Sequence, residues 1–201
     1  MTDNSPPRLI VGLTGATGTI IGVRLLQALK SAGVESHLVM SKWAIRTLVH
    51  ETDYSAADVE GMATHTYRAH DQGAAISSGS FLTRGMVICP CSMRTLASIA
   101  HGTGDQLVHR AADVILKERR KLVLVVREAP LHDIHLENML KLSRMGVIIL
   151  PPVPAFYNRP LSVDDIVNHI VMRILDQFDI HLDLRERWDG VMASGAKFVE
   201  K

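Results

Sequence analysis

The sequence predicts an α/β fold, a three-layer, doubly wound parallel sheet in a single domain. Three observations carry this reading. Short apolar runs alternate along the whole chain with segments of helical periodicity. One run, Leu122–Val126, is apolar at every position, as a strand covered on both faces must be. A glycine-rich turn, Thr14-Gly15-Ala16-Thr17-Gly18, joins the first apolar run directly to the first helical one. With 201 residues, 47% of them hydrophobic, and no linker, the chain reads as one domain over 1–201, with loose tails at 1–7 and about 190–201.

The elements follow in order. Leu9–Leu13 is the first strand. Ile20–Ser31 is a helix, with Ile21, Leu25, Leu26 and Leu29 on one face and Gly33 as its stop. Val34–Met40 is the second strand, followed by helices over Lys42–His50 and Ser55–Met62. In the latter, Ser55 and Asp58 have capping-box spacing. Met86–Cys89 is a short strand that turns through Pro90-Cys91-Ser92 into a helix over Met93–Ala100. Gln106–Arg119 is helical, Leu122–Val126 is a strand, and Ile134–Met145 is helical. Val147–Leu150 is the last strand and Val163–Phe178 a long final helix.

Several function classes are excluded at this level. A formal net charge of +1 provides no electrostatic footprint for nucleic acid. No apolar run is long enough to span a bilayer, and no stretch resembles a signal peptide. Cys89 and Cys91 stand too close on one extended segment for an ordinary disulfide, so a reducing cytoplasm is the expected compartment.

Ligands of parallel sheets bind beyond the carboxyl ends of the strands, and here those ends are polar. They read Thr14–Gly18, Ser41-Lys42, Pro90–Thr95, Arg127-Glu128 and Pro151–Tyr157. All five segments are expected at one rim. The first is a strand–glycine–helix junction, where unpaired N–H groups and the helix dipole favour an anion. Gly12-x-x-Gly15-x-x-Gly18 also resembles the turn of NAD(P)-binding short-chain dehydrogenases. However, the second strand ends in Ser41-Lys42 rather than in a carboxylate, and no Tyr-x-x-x-Lys pair is present. A tight turn without ligand is the other reading of the same residues.

Other motifs are weaker. Ser77-Ser78-Gly79-Ser80 reads as a surface turn. Cys89-Pro90-Cys91 is a poor zinc site, with Cys89 expected to be packed and Cys91 to lie in a turn. His132 and His135 read as polar surface, because Glu137 falls on another helix face. The run Lys117–Lys121 reads as a solvated helix C-terminus, a description that need not cover Lys117. Glu51, Glu128 and Arg173 are surface charges unless a pocket gathers them, and Trp188 packs on a neighbour.

Taken together, Leu-Thr-Gly-Ala-Thr-Gly (13–18), Met-Ser-Lys (40–42), Ser-Ser-Gly-Ser-Phe (77–81) and Pro-Cys-Ser-Met-Arg-Thr-Leu (90–96) form an ordered set. Arg-Ala-Ala-Asp-Val-Ile-Leu-Lys-Glu-Arg-Arg (110–120), Arg-Glu-Ala-Pro-Leu (127–131), Pro-Ala-Phe-Tyr (154–157) and Arg-Ile-Leu-Asp-Gln-Phe (173–178) extend it. The chain thereby resembles the UbiX-type flavin prenyltransferases from Arg8 to about Trp188. It is most similar to the small flavin-binding components of hydroxyarylic (phenolic) acid decarboxylase systems. Thr17 stands where many members have serine, retaining the hydroxyl and adding a methyl.

The resemblance implies a flavodoxin-like, Rossmann-like fold and a homododecamer. It implies transfer of a dimethylallyl group from dimethylallyl phosphate to N5 and C6 of reduced FMN, without metal. The product, prenylated FMN, would serve a UbiD-type decarboxylase. It further implies FMN contacts from Gly15, Ala16, Thr17, Ser41, Ser92, Met93, Arg94, Thr95 and Arg127. The prenyl phosphate would be held by Lys117, Tyr157 and Arg173, with Arg110 nearby. Glu128 is the expected base, Glu51 orders the site, Thr17 bonds near N5 and Trp188 faces the allyl cation. Two alternatives remain at this level: an FMN-binding accessory protein without chemistry, and an NAD(P)-dependent short-chain-type reductase.

Overall fold

A computed structural model describes residues 6–188 and Gly190, so most of the two expected tails lies outside the described residues. The strands are Arg8–Leu13 (β1), Glu35–Met40 (β2), His65–Tyr67 (β3), Gly85–Cys91 (β4), Lys121–Val126 (β5) and Ile148–Ile149 (β6). The helices are Thr19–Ser31 (α1), Lys42–Glu51 (α2), Ala56–Glu60 (α3), Met93–His101 (α4), Leu107–Lys117 (α5), Asp133–Arg144 (α6) and Val163–Asp176 (α7).

All six strands are parallel, in the order β3-β2-β1-β4-β5-β6. The order reverses direction between β1 and β4, which is where open α/β sheets bind ligands. Setting aside the three-residue β3, the remaining order is the flavodoxin order. Two cores sandwich the sheet. Leu25, Leu29 and Leu48 join Val171 and Leu175 under α1, α2 and α7. Leu96, Leu107, Ala111 and Leu142 pack under α4, α5 and α6 on the opposite face. The expected three layers are therefore present. The predicted capping box forms at Ser55 and Asp58, and a second forms at Ser162 and Asp165. Among the described residues, no helix is long and apolar enough to cross a membrane.

Two expectations are corrected. The sequence reading had no strand between α3 and β4, yet β3 pairs with β2 at the sheet edge. Its residues are polar and it is short. Cross-strand bonds hold it, the Ser36 and Thr64 backbone amides each donating to the other's hydroxyl at 3.1 Å. Cys91 is not in a turn. Strand β4 runs extended through a cis Cys89-Pro90 peptide, and Cys91 pairs with Val126 as its fully buried last residue. Burial pushes both thiols far above their ordinary range, so they are inert packing groups.

Candidate functional site

The rim of the site is built by joining the ends of β1 and β4. The Thr14 hydroxyl, fully buried, donates to the Pro90 carbonyl at 2.8 Å and accepts from the Ser92 amide at 2.8 Å. The Ser41 amide donates to the Leu13 carbonyl at 3.0 Å, bringing in β2. Ser41 then caps α2 by accepting from the Ala44 amide, and Ser92 caps α4 by accepting from the Thr95 amide. These bonds bring three strand ends into one fixed rim.

A cavity of about 280 Å³ opens at this rim. Of the expected FMN contacts, Gly15, Ser41, Ser92, Arg94 and Thr95 line it. Thr14, Trp43, Gln106 and His109 also line it, and the sequence reading did not include them. The α5 residues His109 and Gln106 carry no local motif and reach the cleft only because α5 packs on β4. A Cβ on Gly15 would run into Trp43 Cβ, so only glycine leaves room for the turn against α2. His109 is nearly buried and its Nδ1 has no partner. Burial pushes this ring below its usual range, against the pull of Asp105, leaving a neutral imidazole with one unsatisfied nitrogen. That orphaned atom, with the Ser41, Ser92 and Thr95 hydroxyls and the exposed Arg94, fits a polar, phosphorylated ring ligand such as FMN. Ala16 and Met93 are packed just behind the wall, and Arg127 donates its amide to the Cys91 carbonyl beside it.

The α1 N-terminus holds an anion, but a protein one. Glu51 Oε2 accepts from the Gly18 amide at 2.9 Å, the Thr19 amide at 3.1 Å and the Thr19 hydroxyl at 3.0 Å. Burial pushes the Glu51 carboxyl up, but bonds from Thr17, Thr19 and Gly18 outweigh it and hold it below the ordinary carboxylate range. Glu51 thus orders Thr17 and the glycine turn, and is no loose surface charge. Glu128 is exposed at the same carboxyl rim, with Oε1 accepting from the Ala129 amide at 3.2 Å.

The expected prenyl phosphate residues divide into two sets. Tyr157 and Arg173 belong to the α7 layer. The Tyr157 hydroxyl is 3.5 Å from His169 Nε2, and Arg173 follows His169 by one helical turn. Trp188 packs edge-on against Tyr157, with ring centroids 5.7 Å apart. Arg110 and Lys117 lie on α5, in the opposite layer, paired with Asp113 and Glu118. Within one chain the sheet separates the sets, so the four do not converge as the sequence reading expected. Lys117 stands instead beside the Ser77–Ser80 turn. Arg120 clamps that turn by donating to the Gly79 and Phe81 carbonyls at 2.6 and 2.7 Å, so it is not a merely solvated cation.

Against known proteins, the family model described as Flavoprotein matches residues 1–175. A probable UbiX-like flavin prenyltransferase of Bacillus subtilis is 63% identical over 92% of this chain and 90% of its own length. The crystal structure of AnUbiX in complex with FMN and dimethylallyl pyrophosphate superposes with a TM-score of 0.92 at 50% identity, covering 93% of this chain and all of that one. A dodecameric FMN-dependent UbiX-like decarboxylase from Escherichia coli O157:H7 gives 0.89 at 61% identity, covering 91% of this chain and all of that one.

Proposed function

Because this chain belongs to the Flavoprotein family, and within it to the UbiX-like flavin prenyltransferases, we propose a specific division of labour among its residues. The enzyme transfers a dimethylallyl group from dimethylallyl phosphate to N5 and C6 of reduced FMN. The allylic C–O bond breaks with its electrons leaving on phosphate, new bonds form to N5 and C6, and the C6 proton is lost.

The observation that carries this reading is the cleft at the β1/β4 switch point, with glycine against Trp43 and His109 Nδ1 unpartnered. Gly15, Ala16 and Ser41 hold the ribityl phosphate side, and Ser92, Met93, Arg94, Thr95 and Arg127 the remainder. Thr17, held by Glu51, presents its hydroxyl near N5. Glu128 takes the C6 proton. Lys117, Arg110, Tyr157 and Arg173 neutralise the departing phosphate, and Trp188 faces the allyl cation.

Since the two cation sets sit in opposite layers, the phosphate subsite is shared between copies of the chain. Assembly as a homododecamer, the state of the Escherichia coli relative, supplies those copies. Exposed Ile134, Leu140, Val153, Phe156, Leu161 and Val163 are apolar surface of the kind that assembly covers. The product passes to a UbiD-type decarboxylase. The two free, buried cysteines are in keeping with a cytoplasmic location.

The test is direct. The purified protein is given dithionite-reduced FMN and dimethylallyl phosphate, and a new flavin species is sought by mass and absorbance. FMN binding without product would make the chain an accessory protein; binding of NADP in place of FMN would make it a reductase.

A further inference from the structure

At the end of the sheet opposite the flavin cleft, the reaction leaves a histidine–carboxylate cluster unused. Glu35 and His37 are two apart on β2 and therefore share a face. His65 on β3 is the direct cross-strand partner of His37. Glu35 Oε1 lies 3.0 Å from His37 Nε2 and 3.3 Å from His65 Nε2. All three ligand atoms fall within 4.8 Å of one another.

We propose that Glu35, His37 and His65 bind one divalent first-row transition-metal cation of the zinc class, with water in the fourth position. Bonds of about 2.0–2.2 Å in a tetrahedral zinc site separate its ligands by about 3.3–3.5 Å. Two edges of the cluster are already near that length, and the half-exposed His65 ring can move to close the third. Imidazole and carboxylate together select this class over magnesium or calcium. The site also has the outer support that metal-binding histidines need. The Tyr67 hydroxyl is 2.8 Å from His37 Nδ1 and orients the ring with Nε2 toward Glu35. Arg8 is the resident competitor, its Nε 3.3 Å from the same Glu35 oxygen. Its guanidinium has a second contact over the Phe81 ring, 5.3 Å from the centroid, which it keeps when an ion takes the carboxylate. The expectation of metal-free chemistry concerns the flavin site and is untouched.

The untagged full-length oligomer, stripped with chelator, is titrated with Co²⁺ and then Zn²⁺. The expected result is one Co²⁺ per chain with the visible bands of a four-coordinate site, displaced by one equivalent of Zn²⁺. His65→Ala, on an exposed edge, should weaken Zn²⁺ binding at least tenfold. His135→Ala, which breaks the other close pair with His132, should leave it unchanged. Absence of the four-coordinate spectrum, a Zn²⁺ affinity unmoved by His65→Ala, or one abolished by His135→Ala would each overturn the proposal.

Discussion

Thr19 donates both its amide and its hydroxyl to one oxygen of Glu51, at 3.1 and 3.0 Å, so the helix behind the glycine turn carries its own carboxylate. This carboxyl titrates below its ordinary range in the folded protein, because bonds from Thr17, Thr19 and Gly18 outweigh burial. A lowered folded pKa stabilises above the unfolded value of about 4.3 and is lost as pH falls through the folded one. Glu51→Gln should therefore cost about 0.5–1 kcal/mol at pH 7 and progressively less on acidification. Urea unfolding at pH 7 and in the acid range measures it. Equal loss at both would show that the charge plays no part.

Gly15 presses on Trp43, leaving no room for a Cβ. Gly15→Ala should displace the turn, cost about 1–3 kcal/mol and abolish tight FMN binding. Thermal melts and flavin titration read the two effects separately. An alanine variant with wild-type flavin affinity would place the cofactor elsewhere.

Glu128 is held only by its neighbour's amide and is free to face a ligand at the rim. Glu128→Gln should bind FMN normally and turn over about 10²–10⁴-fold more slowly. Full activity in this variant would transfer the role of base to another group.

Lys117 and Arg173 lie on opposite faces of the sheet. Lys117→Ala and Arg173→Ala should each be nearly inactive, with Arg173→Ala raising the prenyl phosphate KM by about tenfold or more. Oligomers reassembled from equal amounts of the two should regain about a quarter of wild-type activity, since random mixing leaves that share of sites with both side chains. No recovery would mean that both residues serve a site within one chain.

The alternation of strands and helices was legible in the sequence because burial on both faces makes such strands uniformly apolar, and Leu122–Val126 shows it plainly. The glycine turn and the serine caps at Ser41 and Ser92 were legible for a similar reason, since local backbone geometry demands those residue types. Strand β3 was not, because its three residues pair with one neighbour and owe their place to His37, Ser36 and Thr64 elsewhere in the chain.

Residue type and order thus determined by themselves the layers, the ligand-bearing rim and the family. Which groups meet there was left to packing. His109 enters the cleft only through the seat of α5 on the sheet, Glu51 reaches back across α2 to cap α1, and Lys117 is divided from Arg173 by the sheet itself. Local sequence governs turns, caps and periodicity, whereas such distances arise from side chains far apart in the chain and exist only once the two cores have closed.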